Sequence, residues 1–168
     1  ASMLLAARAR LAAAAAALRE ATHVALADAT RAVLGALGEF CAEIADETAD
    51  GSLGLSRRAR QSLVRECGVL PALIDLLGVL GPRYAPKFAK TAEKAACRRA
   101  LLAAARAALG AAVERCAANA AAAEAAAPLV VVHVGRGLGA EEAMLRLLQA
   151  RPAPLRRIDA AEVGAPPP

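Results

Sequence analysis

Alanine occupies 50 of the 168 positions, and this single feature limits the fold more than any other. Because alanine has the highest intrinsic helix propensity, such a chain favours many closely packed helices. A β-sandwich or barrel needs β-branched and aromatic residues in volume, and only 2% of this chain is aromatic. An alanine side chain buries little area, so leucine and valine must supply most of the core, at about 0.8 kcal/mol per buried CH₂. The composition therefore predicts an all-α fold.

Helix start and stop residues divide the chain into short helical segments. Ser56 is predicted to cap one helix, and Gly68 to end it in the left-handed region. The chain contains a unit typical of an α-solenoid repeat, namely a helix followed by a glycine, Val-Leu-Pro and an apolar helix. This unit does not recur at an exact spacing along the sequence. We predict an irregular armadillo-like α-solenoid or helical bundle, a single domain over residues 1–163, with a disordered Pro-rich end at 164–168. The predicted helices cover residues 2–20, 22–46, 57–66, 72–77, 91–112, 117–127 and 141–149.

The net charge and the cysteine spacing exclude several classes of function. A formal charge of +5 is a mild basic excess, and one Tyr with no Trp leaves no base-stacking platform, so nucleic-acid binding is not predicted. No Cys-x-x-Cys pair occurs, so neither a metal site, a cofactor site nor a disulfide framework is predicted. No uncharged apolar run approaches the length of about 18 residues that a membrane span requires. We expect buried, reduced thiols in a cytosolic protein at Cys41, Cys67, Cys97 and Cys116.

A glycine loop after a β-branched run offers a remote alternative, a nucleotide-binding enzyme. Residues 129–134 read LVVVHV, and residues 135–139 read GRGLG before a predicted helix, as at the start of a dinucleotide fold. The spacing is G-x-G-x-G rather than G-x-G-x-x-G. Glu141 and Glu142 would place two carboxylates where the pyrophosphate binds. We therefore prefer a short helix begun by Pro128, and we predict no catalytic residues, since neither histidine has a relay partner.

The arginine-rich helix that follows Ser56 is the best candidate for a binding site. Arg58, Ser62 and Arg65 lie at i, i+4 and i+7 and share one helix face. Guanidinium groups near a helix N-terminus bind phosphate oxygens in bidentate fashion. The alternative, which composition alone favours, is a solvated basic stripe with Leu63 and Val64 turned inward. Arg58 and Arg65 are the candidate phosphate-binding residues.

Five segments resemble motifs of one protein family, in the family's order. In this chain RQSLVRECGVL at 60–70 resembles the family motif RQKLLREQGVL, and CRRALL at 97–102 resembles a CYRLL-type helix. Asn119 corresponds to the asparagine of an NQ motif. Residues 133–148 resemble the motif H-x-G-x-G…ED…LL, and RIDAAEV at 157–163 resembles ITAAEI. The family is the homology domain shared by ryanodine receptors and inositol-trisphosphate receptors (the RIH domain). The resemblance extends from about residue 20 to 163 and is best over 56–163.

This resemblance implies a cytosolic, non-catalytic regulatory or scaffold domain of a calcium-release channel. Such a domain is an armadillo-like solenoid at the cytosolic face of the endoplasmic reticulum, and it packs beneath β-trefoil modules and contacts other domains or subunits. In inositol-trisphosphate receptors it also contacts the ligand's phosphates, and Arg58 and Arg65 match two of those residues. The family's lysine is Ser62 here, and a Tyr-Arg-Lys group aligns with residues 116–118, Cys-Ala-Ala. Each missing charged hydrogen bond forgoes about 1.5–3 kcal/mol, so weak or no inositol-trisphosphate binding is expected.

Two further interpretations stay open. The first is a stand-alone armadillo-like adaptor that binds protein partners through a groove and has no channel. A pore domain encoded in the full gene would distinguish a channel domain from this adaptor. The start of the chain carries Arg8 and Arg10 but no acidic residue before Glu20, which is also typical of an organelle transit peptide. We favour an ordinary alanine-rich helix over residues 1–20.

Overall fold

The structure, a computed structural model, describes residues 2–20, 24–42, 55–132 and 139–150. Within these ranges the chain is helical and contains no strand, which confirms the all-α prediction. Two short 3₁₀ turns, Pro82–Tyr84 and Glu124–Ala126, join neighbouring helices. The α-helices of the described ranges are α1 (Ser2–Glu20), α2 (Val24–Ala42), α3 (Arg57–Glu66), α4 (Val69–Leu80), α5 (Ala85–Phe88), α6 (Ala92–Val113), α7 (Ala117–Ala122), α8 (Ala127–Val131) and α9 (Ala140–Gln149).

One leucine-rich core holds these helices together. In α1 the residues Leu4, Leu11 and Leu18 repeat at seven-residue spacing and are at most 1% exposed, so they form one stripe that packs against α4. The long helix α6 lies at the centre and packs against α2, α4 and α9. Small residues let α2 and α6 approach closely, since a Cβ built on Gly38 would lie 4.0 Å from Ala108 Cα. Small residues therefore allow a short distance between the axes of α2 and α6.

The local start and stop predictions agree with the structure at most helix ends. The Ser56 hydroxyl accepts a hydrogen bond from the Ala59 amide at 3.2 Å, and the Thr91 hydroxyl accepts one from the Lys94 amide at 3.2 Å. Gly68 follows α3 in the left-handed region at φ +71°, as predicted. Thr22 and residues 43–46, predicted as part of the second helix, lie outside the described residues.

The prediction of one continuous helix over residues 117–127 is wrong. Helix α7 ends at Ala122, and a 3₁₀ turn tightens the backbone, with the Ala126 amide donating to the Ala123 carbonyl at 2.8 Å. Pro128 removes only the bond to the Glu124 carbonyl, which lies beyond the end of α7, so nothing in the local sequence explains why α7 ends at Ala122. Helix α8 then begins with Pro128 in its first turn, where a missing N–H costs nothing.

Where the structure describes it, the β-branched run after Pro128 is helical through Val131, as predicted. Leu129 and Val130 lie in α8, and Val130 is fully buried. The first strand of a dinucleotide fold would need these residues, so this observation counts against the nucleotide-binding alternative. Residues 133–138, including His133 and two of the glycines, lie outside the described residues, as do the 157–163 motif and the Pro-rich end.

Two glycine-to-alanine replacements are expected to change stability in opposite directions. At Gly68 an alanine must adopt the left-handed conformation, which costs about 1–2 kcal/mol, and its Cβ would lie 3.3 Å from Arg8 Cδ. At Gly35, inside α2, nothing lies within 4 Å of a new Cβ, so alanine should stabilise the helix by about 1 kcal/mol. Urea unfolding measures the change in unfolding free energy of each variant, and an unchanged m-value shows that the change is one of stability. Equal effects of the two replacements would contradict this assignment.

Candidate functional site

Helix α3 places the two predicted phosphate-binding residues in different environments. Arg58 is exposed and forms no ion pair with any residue that the structure describes. Arg65 is half-buried; its Nη1 donates to Asn119 Oδ1 at 3.1 Å, and its Nη2 lies 3.5 Å from Glu66 Oε1. Arg65 is therefore already used to hold α3 against α7, and only Arg58 remains directed to solvent.

The solvated-stripe interpretation of α3 is wrong for three of its four arginines. Arg57 Nη2 donates to the Ala42 carbonyl at 3.1 Å, and Arg60 Nε donates to the Leu55 carbonyl at 2.7 Å. Arg60 is only 5% exposed, and its guanidinium lies 5.9 Å from the centre of the Phe40 ring. The contacts of Arg57 and Arg60 fix the start of the helix, and the contact of Arg65 with Asn119 fixes its end. The expected inward position of Val64 is confirmed, at 2% exposed, and Leu63 packs against the core.

Gln61, at the centre of α3, caps the C-terminal end of α6. Its side chain is 2% exposed, and Nε2 donates to the carbonyls of Ala111 at 2.8 Å and Glu114 at 3.0 Å. The last carbonyls of a helix have no partner within the helix. A side-chain amide from another element therefore satisfies two acceptors that burial would otherwise leave without a donor.

Asn119, in α7, completes the same network from the other side. Its side chain is fully buried, and Nδ2 donates to the Gln61 carbonyl and to the Ala112 carbonyl, both at 2.8 Å. Its Oδ1 accepts the hydrogen bond from Arg65. Both donors of the amide are thus used. We call Gln61, Arg65 and Asn119, with the α6 carbonyls that they reach, the α3–α6–α7 polar network.

The sequence contained two patterns that could have identified this network. Gln61 precedes the buried Val64 by three residues and therefore lies on the core-facing side of α3. Asn119 is the only polar residue in α7, whose other residues are all alanine. Because buried polar side chains are almost always hydrogen-bonded, a lone asparagine among alanines in a packed helix is a candidate for such a bond.

Another buried polar residue, Arg106, lies where α6 packs against α9. It is 1% exposed and lines a cavity of about 100 Å³ together with Gly139 and the Glu142–Arg146 ion pair. Burial lowers the pKa of the Arg106 guanidinium, as does the nearby positive charge of Arg98, and Glu141 acts in the opposite direction. Nothing in the sequence distinguished Arg106 from the other arginines of α6.

The cysteines are free thiols in two different environments. Cys41 and Cys116 are buried, in agreement with expectation, whereas Cys67 and Cys97 are half-buried. Burial raises the pKa of the Cys41 thiol to about 11, although the positive charge of Arg60 opposes this effect. Among the described residues, no group of three His, Cys, Asp or Glu side chains could hold a metal ion.

Comparison with known proteins adds no family to this description. No family model, no curated protein and no solved structure matches the chain. Within the described ranges, no helix is both long enough and apolar enough to cross a membrane.

Proposed function

We propose that the chain is a non-catalytic regulatory or scaffold domain of a calcium-release-channel-like protein, at the cytosolic face of the endoplasmic reticulum. One observation carries this proposal, the α3–α6–α7 polar network. Gln61 and Arg65 belong to the segment that resembles one RIH motif, and Asn119 belongs to another, 58 and 54 residues farther along the chain. That these motif residues meet in one buried network supports a structural role for them, as expected if the motifs specify a shared helical architecture.

The same network supports the expectation of weak or no inositol-trisphosphate binding. A phosphate that binds Arg65 must compete with Asn119, whose Oδ1 is already held 3.1 Å from Nη1. Arg58 alone is one exposed guanidinium on a flexible side chain. A single exposed ionic contact contributes about 0–1 kcal/mol, far below the roughly 8 kcal/mol that micromolar affinity requires.

Calorimetric titration with inositol trisphosphate tests this expectation directly. We expect no saturable heat of binding, even at inositol-trisphosphate concentrations about 100 times those used to titrate a site of micromolar affinity. Micromolar or tighter binding that disappears in Arg58→Ala, and persists in the matched exposed control Arg99→Ala, would contradict it.

The channel assignment has its own test, the full reading frame that contains this chain. A pore-forming membrane domain encoded in the same frame supports the proposal, and calcium flux through the full-length protein then reports the effect of network variants. A frame without such a domain overturns it and leaves the stand-alone armadillo-like adaptor. Thermal stabilisation by a millimolar nicotinamide dinucleotide would instead favour the remote enzyme alternative.

A further inference from the structure

Helices α1 and α2 enclose a surface groove that the α3–α6–α7 polar network does not involve. The two helices run antiparallel, since Met3 shares a cavity with Leu37 and Ala13 shares one with Leu26. Each helix packs its most buried side elsewhere, α1 on α4 and α2 on α6, so their outer sides diverge. Between them lie two adjoining cavities of about 480 and 250 Å³, which share Arg10 as a lining residue.

The walls of this α1–α2 groove are small and apolar. Ala6 on α1 and Ala29 and Ala32 on α2 end at Cβ, so they cannot fill the space between diverging helices. Met3, at one end, is 51% exposed, and a thioether side chain adapts readily to different apolar surfaces. From Met3 to Ala13 the α1 wall is about 15 Å long, or about three helical turns. Alanine walls also permit the close approach of about 8 Å between axes that a third packed helix needs.

Arg10 is the only charged residue that lines both cavities. It forms no ion pair with any residue in the described ranges. The other arginines of α1 are differently placed: Arg19 pairs with Asp75, and Arg8 lies over Gly68. A partner that covers Arg10 removes its water, which is unfavourable unless the partner brings an opposite charge. Charge complementarity therefore requires a carboxylate on whatever fills this groove.

We infer that the α1–α2 groove binds an amphipathic helix of a partner protein, about three turns long, with apolar residues at i, i+3, i+4 and i+7 and one Asp or Glu placed to meet Arg10. This is the helix-in-groove mode of recognition, in which the apolar stripe supplies affinity and the charge sets register. An extended strand would need a sheet edge for its backbone hydrogen bonds, and the described residues offer none. The inference concerns a different surface from the polar network and holds whether or not the chain belongs to a channel.

A displayed library of helical peptides tests the inference with the whole chain as target. The library keeps an i, i+3, i+4, i+7 apolar stripe and randomises the residue at its centre. We expect enriched peptides to carry Asp or Glu there, and to bind Arg10→Glu at least tenfold more weakly than the unmodified protein by fluorescence anisotropy. The charge-reversal control is Arg99→Glu, on the exposed side of α6, which should bind as the unmodified protein does.

A second pair of variants locates the bound peptide. Ala32→Arg places a long side chain in the groove and should abolish binding. Ala12→Arg makes the same replacement at an exposed position on the opposite side of α1, nine residues from Met3 at about 100° per residue, and should have no effect. Circular dichroism and thermal unfolding establish that both variants fold.

Four results would overturn the inference. Three of them are the absence of enriched peptides, enrichment of a central Lys or Arg, and equal binding by Ala32→Arg and Ala12→Arg. Self-association of the chain that only Ala32→Arg removes would assign the groove to a second copy and would equally overturn a partner helix.

Discussion

Replacement of Asn119 by alanine is expected to lower the free energy of unfolding by about 3–5 kcal/mol. The variant removes both donors of a fully buried amide and leaves the carbonyls of Gln61 and Ala112 without them. It also removes the acceptor of the Arg65 guanidinium. The Gln61 carbonyl keeps the intrahelical hydrogen bond from the Arg65 amide, so the main losses are at the Ala112 carbonyl and the Arg65 guanidinium. Each buried group that loses its hydrogen-bond partner costs about 1–3 kcal/mol, and these two losses dominate over the small change in apolar area.

Equilibrium unfolding in urea, followed by circular dichroism, measures this loss. For a domain of this size 1 kcal/mol corresponds to about 2–4 °C in Tm, so the melting temperature should fall by roughly 6–20 °C. Gln149→Ala is the matched control, since it removes an exposed amide at the end of α9 and should change stability by less than about 0.5 kcal/mol. Similar stabilities of the two variants would show that the network is not needed to hold α3, α6 and α7 together.

The Asn119→Asp variant separates hydrogen bonding from side-chain volume. A carboxylate has nearly the shape of the amide, and it can still accept from Arg65, but it donates nothing to the two carbonyls at 2.8 Å. We expect it to be destabilised at least as much as the alanine variant. A stability near that of the unmodified protein would mean that packing, rather than donation to the α6 end, is the role of this residue.

Replacement of Phe88 by alanine is the second large effect we expect, a loss of about 3–5 kcal/mol. Phe88 is 1% exposed and is the only aromatic side chain that is fully buried in the described ranges. It ends α5, a helix of four residues that is too short to form without tertiary contacts. In a core built largely from alanine and leucine, no neighbouring side chain is large enough to fill the space that the ring leaves.

Hydrogen exchange shows where that loss acts. The Ala89 amide donates to the carbonyls of Ala85 at 3.2 Å and Pro86 at 3.3 Å, and its protection should fall furthest in the Phe88→Ala variant. Tyr84→Ala is the control, because that ring is half-buried and contacts the cations of Arg83 and Lys87 at its surface. If the tyrosine variant lost as much stability as the phenylalanine variant, Phe88 would not be the anchor of this segment.

The polar network lies in the interior of the molecule, whereas the groove lies on its surface. The network uses α3, α6 and α7 to connect distant parts of the chain. The groove uses the outer sides of α1 and α2 and is available to a partner. Helix α6, on which α2 packs, also carries part of the polar network.

Most helix ends could be predicted because their causes lie within a few residues. Ser56 and Thr91 satisfy the first amides of their own helices, and Gly68 provides a backbone conformation that other residues avoid. The error over residues 117–127 has another origin, because alanine propensity favoured continuation and no residue near Ala122 signals the end of α7.

The candidate site was predictable only in part. The repeat of arginines in α3 was visible, but periodicity could not tell that Arg65 contacts Asn119 or that Arg60 is buried beneath Phe40. A guanidinium is found at the surface by default, and its burial requires acceptors that come from other elements. The acceptor for Arg65 lies on α7, 54 residues away, and no short pattern in the sequence connects it with α3.

By itself, the sequence determined that this protein is helical and where most of its helices begin and end, because propensity, capping and proline breaks act over about four residues. Only the tertiary structure decided which polar residues are buried and where a surface groove stays open. Gln61 and Asn119 lie 58 residues apart and meet through the packing of α3, α6 and α7. The groove likewise exists because α1 and α2 pack against different helices, a relation that neither segment encodes alone.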